Sequence, residues 1–461
     1  MSRFTYAVIA MGVLFLSAYL FRKAAGTLSI KKLNIINFIF YDLLIFTFIG
    51  AFLILMGFRD HYLVMKIKRD VTIIKTCLII GYIMIALPLA ILIYNRLFVG
   101  RSIGLKLNAF IDDDVAYARG EFTILQITAL LVLLGTLGTI YVFSVIGTIP
   151  LFNMLTGSGN MGIIRQQATR SFAGSQYIRN LLVLTITPLL SYLSYIYMRV
   201  STKYRKVWRY LFIYTFILSI LIKTYNLEKA PVIYYLFYFF IIEIVLGSKK
   251  VMKLFWRIFL VGAVVIVGLY YLFLGYTGSL FTVSSGPLGR IFMTQVSTLF
   301  LHVQTFPDHI DYLRGASFPT ALASLIGSPR SWVRSGGLVM GLYNSAGVRA
   351  GTAGVMNALF VGEAYANWGM TGVFVSPFVV ALPFSLAFAL LLRNRKTPAS
   401  ITFYLAMFIS FTNSLQGGFI DYIYNASIIV VGILFLGLDL IGNGGKLVFR
   451  KKRRRVVRQK R

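Results

Sequence analysis

Long runs of apolar residues recur along almost the whole chain, and polar residues are concentrated in the short segments between them. An α-helix rises about 1.5 Å per residue, so about 20 apolar residues cross the hydrocarbon core of a bilayer. The pattern therefore predicts an all-α polytopic membrane protein with about eleven transmembrane helices, within a range of 10 to 12. The predicted spans are 4–21, 33–57, 72–94, 122–149, 178–197, 210–222, 231–247, 258–275, 373–392, 400–414 and 426–442.

Two segments between the predicted spans, 150–177 and 276–372, stand out by their length. The second is far too long to be a simple connection. We expect it to form a large loop subdomain with short helices on the outer face of the membrane. The predicted organisation is eight spans in residues 1–275, the outer loop in 276–372, three spans in 373–442 and a basic tail in 443–461.

Composition agrees with this class and excludes two others. Of the 461 residues, 58% are hydrophobic and only 13% are charged, whereas a soluble domain has about 25% charged residues. A soluble globular enzyme is therefore excluded. A secreted disulfide scaffold is excluded as well, because Cys77 is the only cysteine.

The net charge of +32 comes from 46 Lys and Arg residues against 14 Asp and Glu residues, and ten of the cations lie between Lys446 and Arg461. A basic tail of this kind also occurs in proteins that bind nucleic acid. Directly after a membrane span, however, it is typical of a cytoplasmic segment that contacts anionic lipid. We therefore expect membrane lipids, and not nucleic acid, as its partner.

The distribution of Lys and Arg among the loops predicts the orientation. With the tail in the cytoplasm, loops 22–32, 95–121, 198–209, 248–257 and 393–399 are cytoplasmic, and together with the tail they carry 30 cations against 15 on the other side. The N-terminus and the 276–372 region are then outside. Arg22 and Lys23 follow the first span without a small-residue cleavage site, so we expect that span to be retained.

Arginines are the first candidate functional residues. The predicted outer segments hold several of them and few acids, and the guanidinium group presents a planar fork of donors that suits phosphate oxygens. At a membrane surface this pattern favours binding of a lipid-linked phosphate or diphosphate, although such arginines can also anchor loops to lipid headgroups. The candidates are Arg165, Arg170, Arg290, Arg314 and Arg330, with Arg334 and Arg349 in the same region.

Glu363 is the most informative acid, because it lies in an aromatic-rich segment just before predicted span nine. If this segment is helical, Glu363 and Asn367 share a face at i, i+4, and Tyr365 and Trp368 can stack on a sugar ring. A carboxylate near the membrane interface can act as a general base. The alternative is that Glu363 makes a hydrogen bond at a helix terminus or an ion pair with an arginine.

His309, between Asp308 and Asp311, is the rival candidate for the base. His302 and His309 do not have the spacing of a zinc site, and Pro307 interrupts any helix that would align them. The sequence therefore predicts no metal site.

Three segments resemble motifs of one family. Arg314-Gly-Ala-Ser-Phe-Pro319 with Leu325-Ile-Gly-Ser-Pro-Arg-Ser-Trp332 is similar to a G-x-S…I-P-R-x-x-W pattern. Phe360-Val-Gly-Glu-Ala-Tyr-Ala-Asn-Trp-Gly369 resembles F-x-G-E-x-Y-x-N-F-G, and Gly147-Thr-Ile-Pro-Leu-Phe152 followed by Arg165 resembles G-x-I-P-L…R. These patterns belong to Wzy-type oligosaccharide repeat-unit polymerases, which make O-antigen or capsular polysaccharide, and the resemblance covers roughly residues 120–440 in order.

The resemblance implies a location, a fold and a reaction. Such enzymes lie in the bacterial cytoplasmic (inner) membrane and have the helical fold of lipid-dependent (class C) glycosyltransferases. On its outer face they transfer a growing glycan from undecaprenyl diphosphate onto a new lipid-linked repeat unit. The implied reaction is an inverting, metal-independent displacement without a cofactor, in which arginines stabilise the leaving diphosphate and a base assists the acceptor hydroxyl. A chain-length regulator protein is a possible partner.

Two other functions stay open at this point. An O-antigen ligase typically uses an outer-face histidine, for which His302 and His309 are available. A flippase or transporter would carry ionisable residues at mid-membrane and internal repeats. The predicted spans contain few ionisable residues, and no internal repeat is evident, which favours an enzyme.

Overall fold

The computed structural model of the chain describes residues 2–116, 120–156, 172–257, 286–319 and 333–445, together with positions 164, 165, 168, 260 and 264. The described part is helical throughout and contains no β-strand. Its α-helices are α1 (Arg3–Ala25), α2 (Ile35–Leu43), α3 (Ile49–Leu55), α4 (Asp70–Phe98), α5 (Ile103–Asp112), α6 (Glu121–Ile146), α7 (Pro150–Thr156), α8 (Thr187–Val200), α9 (Arg205–Thr224), α10 (Lys229–Val245), α11 (Gln295–Thr305), α12 (Ser335–Tyr343), α13 (Ser345–Arg349), α14 (Phe360–Arg393), α15 (Pro398–Gly417) and α16 (Ala426–Gly442).

Shorter helical segments complete several of these elements. A π-helix over Leu44–Phe48 joins α2 to α3, another over Ile178–Ile186 leads into α8, and a third over Arg290–Thr294 leads into α11 after the short turn Gly286–Gly289. Three 3₁₀ turns lie at Ile30–Lys32, Val64–Lys66 and Ile420–Tyr422. Because the π-helices continue into neighbouring helices, 35–55 and 178–200 each form one long apolar segment.

Eight segments of the described chain are long and apolar enough to cross a membrane, which confirms the prediction of a polytopic helical membrane protein. They are Arg3–Lys32, Ile35–Leu55, Asp70–Phe98, Glu121–Ile146, Ile178–Val200, Arg205–Thr224, Phe360–Arg393 and Ile420–Gly442. Two further predicted spans correspond to α10, with 17 residues, and α15, with 20 residues. Most of predicted span 258–275 lies outside the described residues, so the count of eleven stays a prediction.

Local sequence explains where several helices begin and end. Pro398 occupies the first turn of α15, where its missing N–H is harmless, and the Thr397 and Ser400 side chains form a capping box there. Asn34 and Asn37 form the same reciprocal cap at the start of α2. At the other end of a helix, Gly26 closes α1 with φ 81°, a left-handed conformation that glycine adopts readily.

The core of the bundle is built around α14. This helix packs on α4 and α15, while α1 packs on the other side of α4 and α16 packs on α15. A second group contains α8, α9 and α10, together with the π-helix before α8 that contacts α6. The largest buried side chains are aromatic, among them Trp208, Tyr404 and Phe384, which agrees with the high aromatic content of the chain.

Part of the predicted outer loop lies inside the bundle. Helix α11 contacts α3, α4 and α14, and all ten residues from Val296 to Thr305 are buried. The segment that contains α11 therefore continues the helical packing of the transmembrane bundle, and it does not stand apart as a separate body. The predicted domain limits themselves stay predictions.

Helix α14 is broken near its start. Trp368 and Gly369 leave helical conformation, with φ −134° and ψ 15° for Trp368 and φ 59° and ψ −139° for Gly369. A Cβ at Gly369 would lie 2.8 Å from the Tyr312 ring, so a side chain is excluded there by space as well as by backbone conformation. The break separates the short helical segment 360–367, which contains Glu363, from the long segment that continues to Arg393.

Candidate functional site

A cavity of about 1090 Å³ lies between the two groups of helices. One wall is formed by the middle of the 178–200 segment, the end of α9 and the first half of α10. The opposite wall is formed by the second half of α15, the following turn and the start of α16. Residues from 317–319, 334, 357 and 363 complete it. Its polar lining includes Thr185, Lys223, Glu228, Tyr234, Ser317, Arg334, Asn357, Glu363, Ser410, Asn413, Ser414, Asp421, Tyr424, Asn425 and Ser427.

The cavity lies at one particular end of these helices. Lys223 is near the end of α9, which starts in the basic loop 198–209, and Asn413 is near the end of α15, which starts after the basic loop 393–399. The lining extends to the middle of several helices, and its charged residues Lys223, Glu228 and Asp421 lie toward the helix ends farthest from those Lys- and Arg-rich loops. On the predicted orientation, this end faces outward.

Glu363 is held rigidly on the cavity wall. The N–H groups of Phe419 and Ile420 donate to its Oε2, over 2.6 and 3.2 Å. Its Oε1 makes no hydrogen bond with any described residue. One carboxylate oxygen is thus fixed by two backbone donors, while the other is left to interact with a molecule in the cavity.

This arrangement combines the two interpretations of Glu363 that the sequence left open. The hydrogen bonds do place the carboxylate at the start of a helical segment, the 3₁₀ turn Ile420–Tyr422. The same bonds fix its orientation, which is a requirement for a general base. The contacts of Glu363 therefore allow a structural role and a chemical role together.

The Glu363 carboxylate fits against the turn because Gly418 has no side chain. A Cβ on Gly418 would lie 2.6 Å from Glu363 Oε2, closer than real contacts of this kind, whereas a Cβ on Gly417 would meet only Asp421 at 3.9 Å. Asp421 follows directly after the two residues that bind Glu363, and its own Oδ2 accepts a hydrogen bond from Ser414 Oγ over 3.1 Å. One short turn therefore places two carboxylates on the same cavity wall.

Two cations of the described chain line the cavity. Lys223 donates from Nζ to the carbonyl oxygen of Leu184 over 2.9 Å, which fixes the ammonium group on the α9 side. Arg334, immediately before α12, is exposed and also lines the cavity. Together they bring positive charge to a cavity that also contains carboxylates.

Asn367 shares a face of the short helix with Glu363, as predicted, but its side chain is fully buried. It donates from Nδ2 to the Glu363 carbonyl oxygen over 2.8 Å and to Ser317 Oγ over 2.7 Å. Its Oδ1 accepts from the Gly315 N–H over 2.9 Å. Asn367 therefore holds the 315–317 loop against the helix that carries Glu363, and its contact with Glu363 is to the backbone.

The two aromatic residues proposed to stack on sugar are not among the residues that line the cavity. Tyr365 is fully buried, donates from its hydroxyl to the Phe306 carbonyl and accepts from Lys75 Nζ over 2.7 Å. Trp368 packs against Phe318 and Phe419, with ring centroids 5.6 and 6.1 Å away. Both rings are therefore packed against other groups of the protein.

Of the predicted arginines that the structure describes, Arg334 lines the cavity, whereas Arg165, Arg290 and Arg314 do not. Arg165 donates from Nε to the Asn226 carbonyl over 2.9 Å, which places it near Glu228 but not on the cavity lining. Arg290 and Arg314 are exposed elsewhere, and Arg314 has φ 48°, with its N–H bonded to the Asn367 carbonyl. Arg170 and Arg330 lie outside the described residues.

All three histidines are described, and none lines the cavity. His309 is exposed and bonds through its backbone N–H to the Thr305 carbonyl. His302 is buried with Nδ1 2.8 Å from the Thr298 carbonyl, and this burial lowers its pKa to about 4. Its imidazole is therefore neutral at ordinary pH. His61 is also buried, and its Nε2 lies 3.3 Å from Thr294 Oγ1.

The sequence analysis missed several cavity residues, among them Asp421, Asn413 and Tyr424. No local motif marks them, because they come together only when the end of α15 folds back through a turn into α16. The one available signal was their position at the predicted outer end of two successive spans. Within the described residues, no group of three or more His, Cys, Asp and Glu side chains is arranged to hold a metal ion.

Replacing Asn367 with alanine should destabilise the protein by about 1–3 kcal/mol. The substitution leaves the buried Gly315 N–H without its acceptor, and an unsatisfied buried donor costs that amount. Thermal unfolding of purified protein in detergent measures the change. Asn413→Ala removes an exposed amide and serves as the matched control. Equal unfolding temperatures for the two variants would contradict the positioning role of Asn367.

The sequence matches no protein-family model, and comparison with curated proteins and with solved structures also gives no match.

Proposed function

We propose that this protein is a polysaccharide polymerase that uses lipid-diphosphate-linked oligosaccharides, in the manner of the Wzy-type enzymes whose motifs its sequence resembles. It joins undecaprenyl-diphosphate-linked repeat units into O-antigen or capsular polysaccharide on the outer face of the bacterial inner membrane. The proposal includes the fold type of lipid-dependent glycosyltransferases and a C-terminus in the cytoplasm.

The observation that carries this proposal is the composition of the cavity. Its lining combines a fixed carboxylate, Glu363, with two cations, Lys223 and Arg334, and with side chains that can bind hydroxyl groups. A substrate that is a phosphate at one end and a sugar at the other requires these groups together. A volume of about 1090 Å³ is also at the large end for small-molecule sites, as an oligosaccharide needs.

The proposed chemistry is a single displacement at the anomeric carbon of the donor glycan. The acceptor hydroxyl oxygen forms the new bond to that carbon as the bond to the diphosphate oxygen breaks, and the electron pair leaves with the diphosphate. Glu363 Oε1 takes the hydroxyl proton. Lys223 and Arg334 stabilise the negative charge that develops on the leaving group. A single displacement inverts the anomeric configuration.

The ligase hypothesis receives less support from the site. A ligase of this type depends on an outer-face histidine, and none of the three histidines lines the cavity. The transporter hypothesis would require ionisable groups along a path through the membrane, whereas the charged residues on the cavity lining cluster near one end of the helices. The polymerase therefore remains the function that the site supports best.

Deletion of the gene in its own host tests the function directly. A polymerase deletion leaves surface glycan that carries single repeat units, and the ladder of longer chains disappears from a gel. Accumulated lipid-linked polymer would instead identify a ligase, and complete absence of surface repeats would identify a flippase. Polymer formation by the purified protein from lipid-linked repeat units completes the test.

The predicted orientation can be tested with one cysteine on each side. Ser345 and Thr202 are both exposed, the first at the start of α13 and the second in the basic loop 198–209. In a Cys77→Ser background, Ser345→Cys should react with a membrane-impermeant thiol reagent in intact spheroplasts. Thr202→Cys should react only after permeabilisation. The reverse pattern would overturn the orientation.

A further inference from the structure

The turn after α15 presents polar side chains that the proposed displacement does not use. Asp421 is exposed and lines the cavity, and among the described residues its side chain bonds only through Oδ2, to Ser414 Oγ over 3.1 Å. Asn413 is exposed on the same wall and makes no hydrogen bond with any described residue. One short stretch of chain therefore presents a carboxylate oxygen and an amide that the rest of the described structure does not bind.

Tyr424 adds an aromatic ring to this wall. It lines the cavity and is 46% exposed. On the opposite wall Tyr234 is also partly exposed, whereas Tyr192 and Tyr235 are buried and their hydroxyls are bonded to the Tyr235 carbonyl and to Ser191. Those two rings form part of the wall, whereas Tyr424 leaves an open face.

We propose that Asp421, Asn413 and Tyr424 form a subsite for an uncharged sugar of the acceptor glycan, an inference that rests on the proposed function. A carboxylate accepts hydrogen bonds from adjacent sugar hydroxyls, and the amide of Asn413 can both donate and accept. The apolar face of a sugar ring packs on Tyr424, whose hydroxyl stays available to water. Asp421 and Asn413 can thus bind the hydroxyl groups of a pyranose, while Tyr424 packs on the apolar face of its ring.

The charge of this wall also determines which sugars it accepts. Asp421 and Glu363 are held by the same turn, and both are carboxylates on the cavity surface. A uronic or sialic acid at this position would bring a further negative charge beside them, which costs free energy at short range. The acceptor residue that binds here therefore carries hydroxyl or amide groups and no carboxylate.

The test uses the full-length protein in detergent, with lipid-linked repeat units extracted from cells that lack the gene. Asp421→Asn should raise the KM for the acceptor by about ten- to a hundredfold, because a charged hydrogen bond is lost. Tyr424→Ala should raise it by about tenfold, because the ring contact is lost. The value of kcat should change less than threefold. Tyr424→Phe, which keeps the ring, should restore most of the acceptor affinity.

Matched controls separate the subsite from general effects. Asp311 is exposed outside the cavity lining, so Asp311→Asn removes the same charge without changing KM. Tyr177, 83% exposed and also outside the lining, gives the control Tyr177→Ala. Binding of undecaprenyl diphosphate without a sugar, followed by native mass spectrometry, should be equal in wild type and Asp421→Asn, because that probe does not reach the subsite.

Four results would overturn the subsite while leaving the polymerase intact. The first is an unchanged KM in both variants, and the second is a loss of kcat alone, which would make Asp421 a catalytic group. The third is failure of Tyr424→Phe to restore affinity. The fourth is a carboxylated acceptor sugar, found by linkage analysis of the polymer. A wild-type protein that forms no polymer and binds no lipid-linked repeat unit would overturn the proposed function itself.

Discussion

Glu363→Gln should reduce polymerisation by about two to four orders of magnitude, the range that removal of a general base produces. The amide oxygen of glutamine can still accept the hydrogen bonds of the Phe419 and Ile420 N–H groups, so the fold should survive. Substrate binding should also persist, because Lys223 and Arg334, the cations proposed to bind the diphosphate, are unchanged. Polymer formation by purified protein from lipid-linked repeat units gives the rate, and the unfolding temperature checks the fold.

Two comparison variants make this result specific. Glu228→Gln removes the same charge from the same cavity, but the Glu228 side chain accepts a hydrogen bond from Asn226 Nδ2. The polymerisation rate of this variant should therefore fall less than tenfold. His309→Ala should have a mild effect, since His309 does not line the cavity. A larger loss in His309→Ala than in Glu363→Gln would transfer the role of the base to the histidine. Full activity in both would mean that the reaction needs neither side chain.

Gly418→Ala should lower the rate by about a hundredfold although it removes no functional group. Gly418 has φ 172°, an extended conformation that alanine adopts without strain. The added Cβ would lie 2.6 Å from Glu363 Oε2, so the carboxylate must move and weaken its bonds to the following turn. A displacement of about 1 Å at a reacting group can produce a loss of this size.

Gly417→Ala is the control for this variant. A Cβ at Gly417 makes only an ordinary contact, 3.9 Å from Asp421 Oδ2, so the effect on the rate should be less than fivefold. Equal rates for Gly418→Ala and wild type would show that the position of Glu363 is not critical. A large loss in Gly417→Ala would instead indicate a general sensitivity of the turn.

The transmembrane architecture was predictable because its cause is local. A helix that crosses a bilayer must be apolar over about 20 residues whatever its neighbours are. Predicted span 122–149 therefore agrees with α6, and predicted span 72–94 lies within α4. The limits were less accurate where a helix continues past the apolar run. Helix α14, for example, begins at Phe360 although the predicted span begins at 373.

The buried position of α11 was not predictable from its sequence. Its residues include His302, Gln304 and several hydroxyl side chains, a composition that suits a surface helix. In the structure most of these groups bond to carbonyl oxygens three or four residues earlier in the chain. Thr298 also donates to the Asn357 carbonyl over 2.6 Å and Gln304 to the Lys66 carbonyl over 3.1 Å, so burial leaves them satisfied. Partners that distant in the chain are visible only after folding.

In the candidate site, too, some features were predictable from the sequence and others were not. Sequence reasoning identified Glu363 because an acid is conspicuous in an apolar segment, and it identified the helical relation to Asn367 because that relation has a fixed period. It did not identify the partners of Glu363, which lie more than fifty residues later in the chain. It also placed Tyr365 toward a ligand, whereas tertiary packing buries that ring beside Lys75.

The sequence by itself therefore determined the class of this protein, its helical spans and its expected orientation, because hydrophobicity, helix period and loop charge act over short stretches of chain. The tertiary structure decided which polar side chains share a cavity. It put Asp421 close to Glu363, placed Lys223 on the lining of the same cavity and left Arg290 and Arg314 elsewhere on the surface. The physical reason is that a cavity forms where separate helices meet, and the pairing of helix ends depends on packing between segments far apart in the chain.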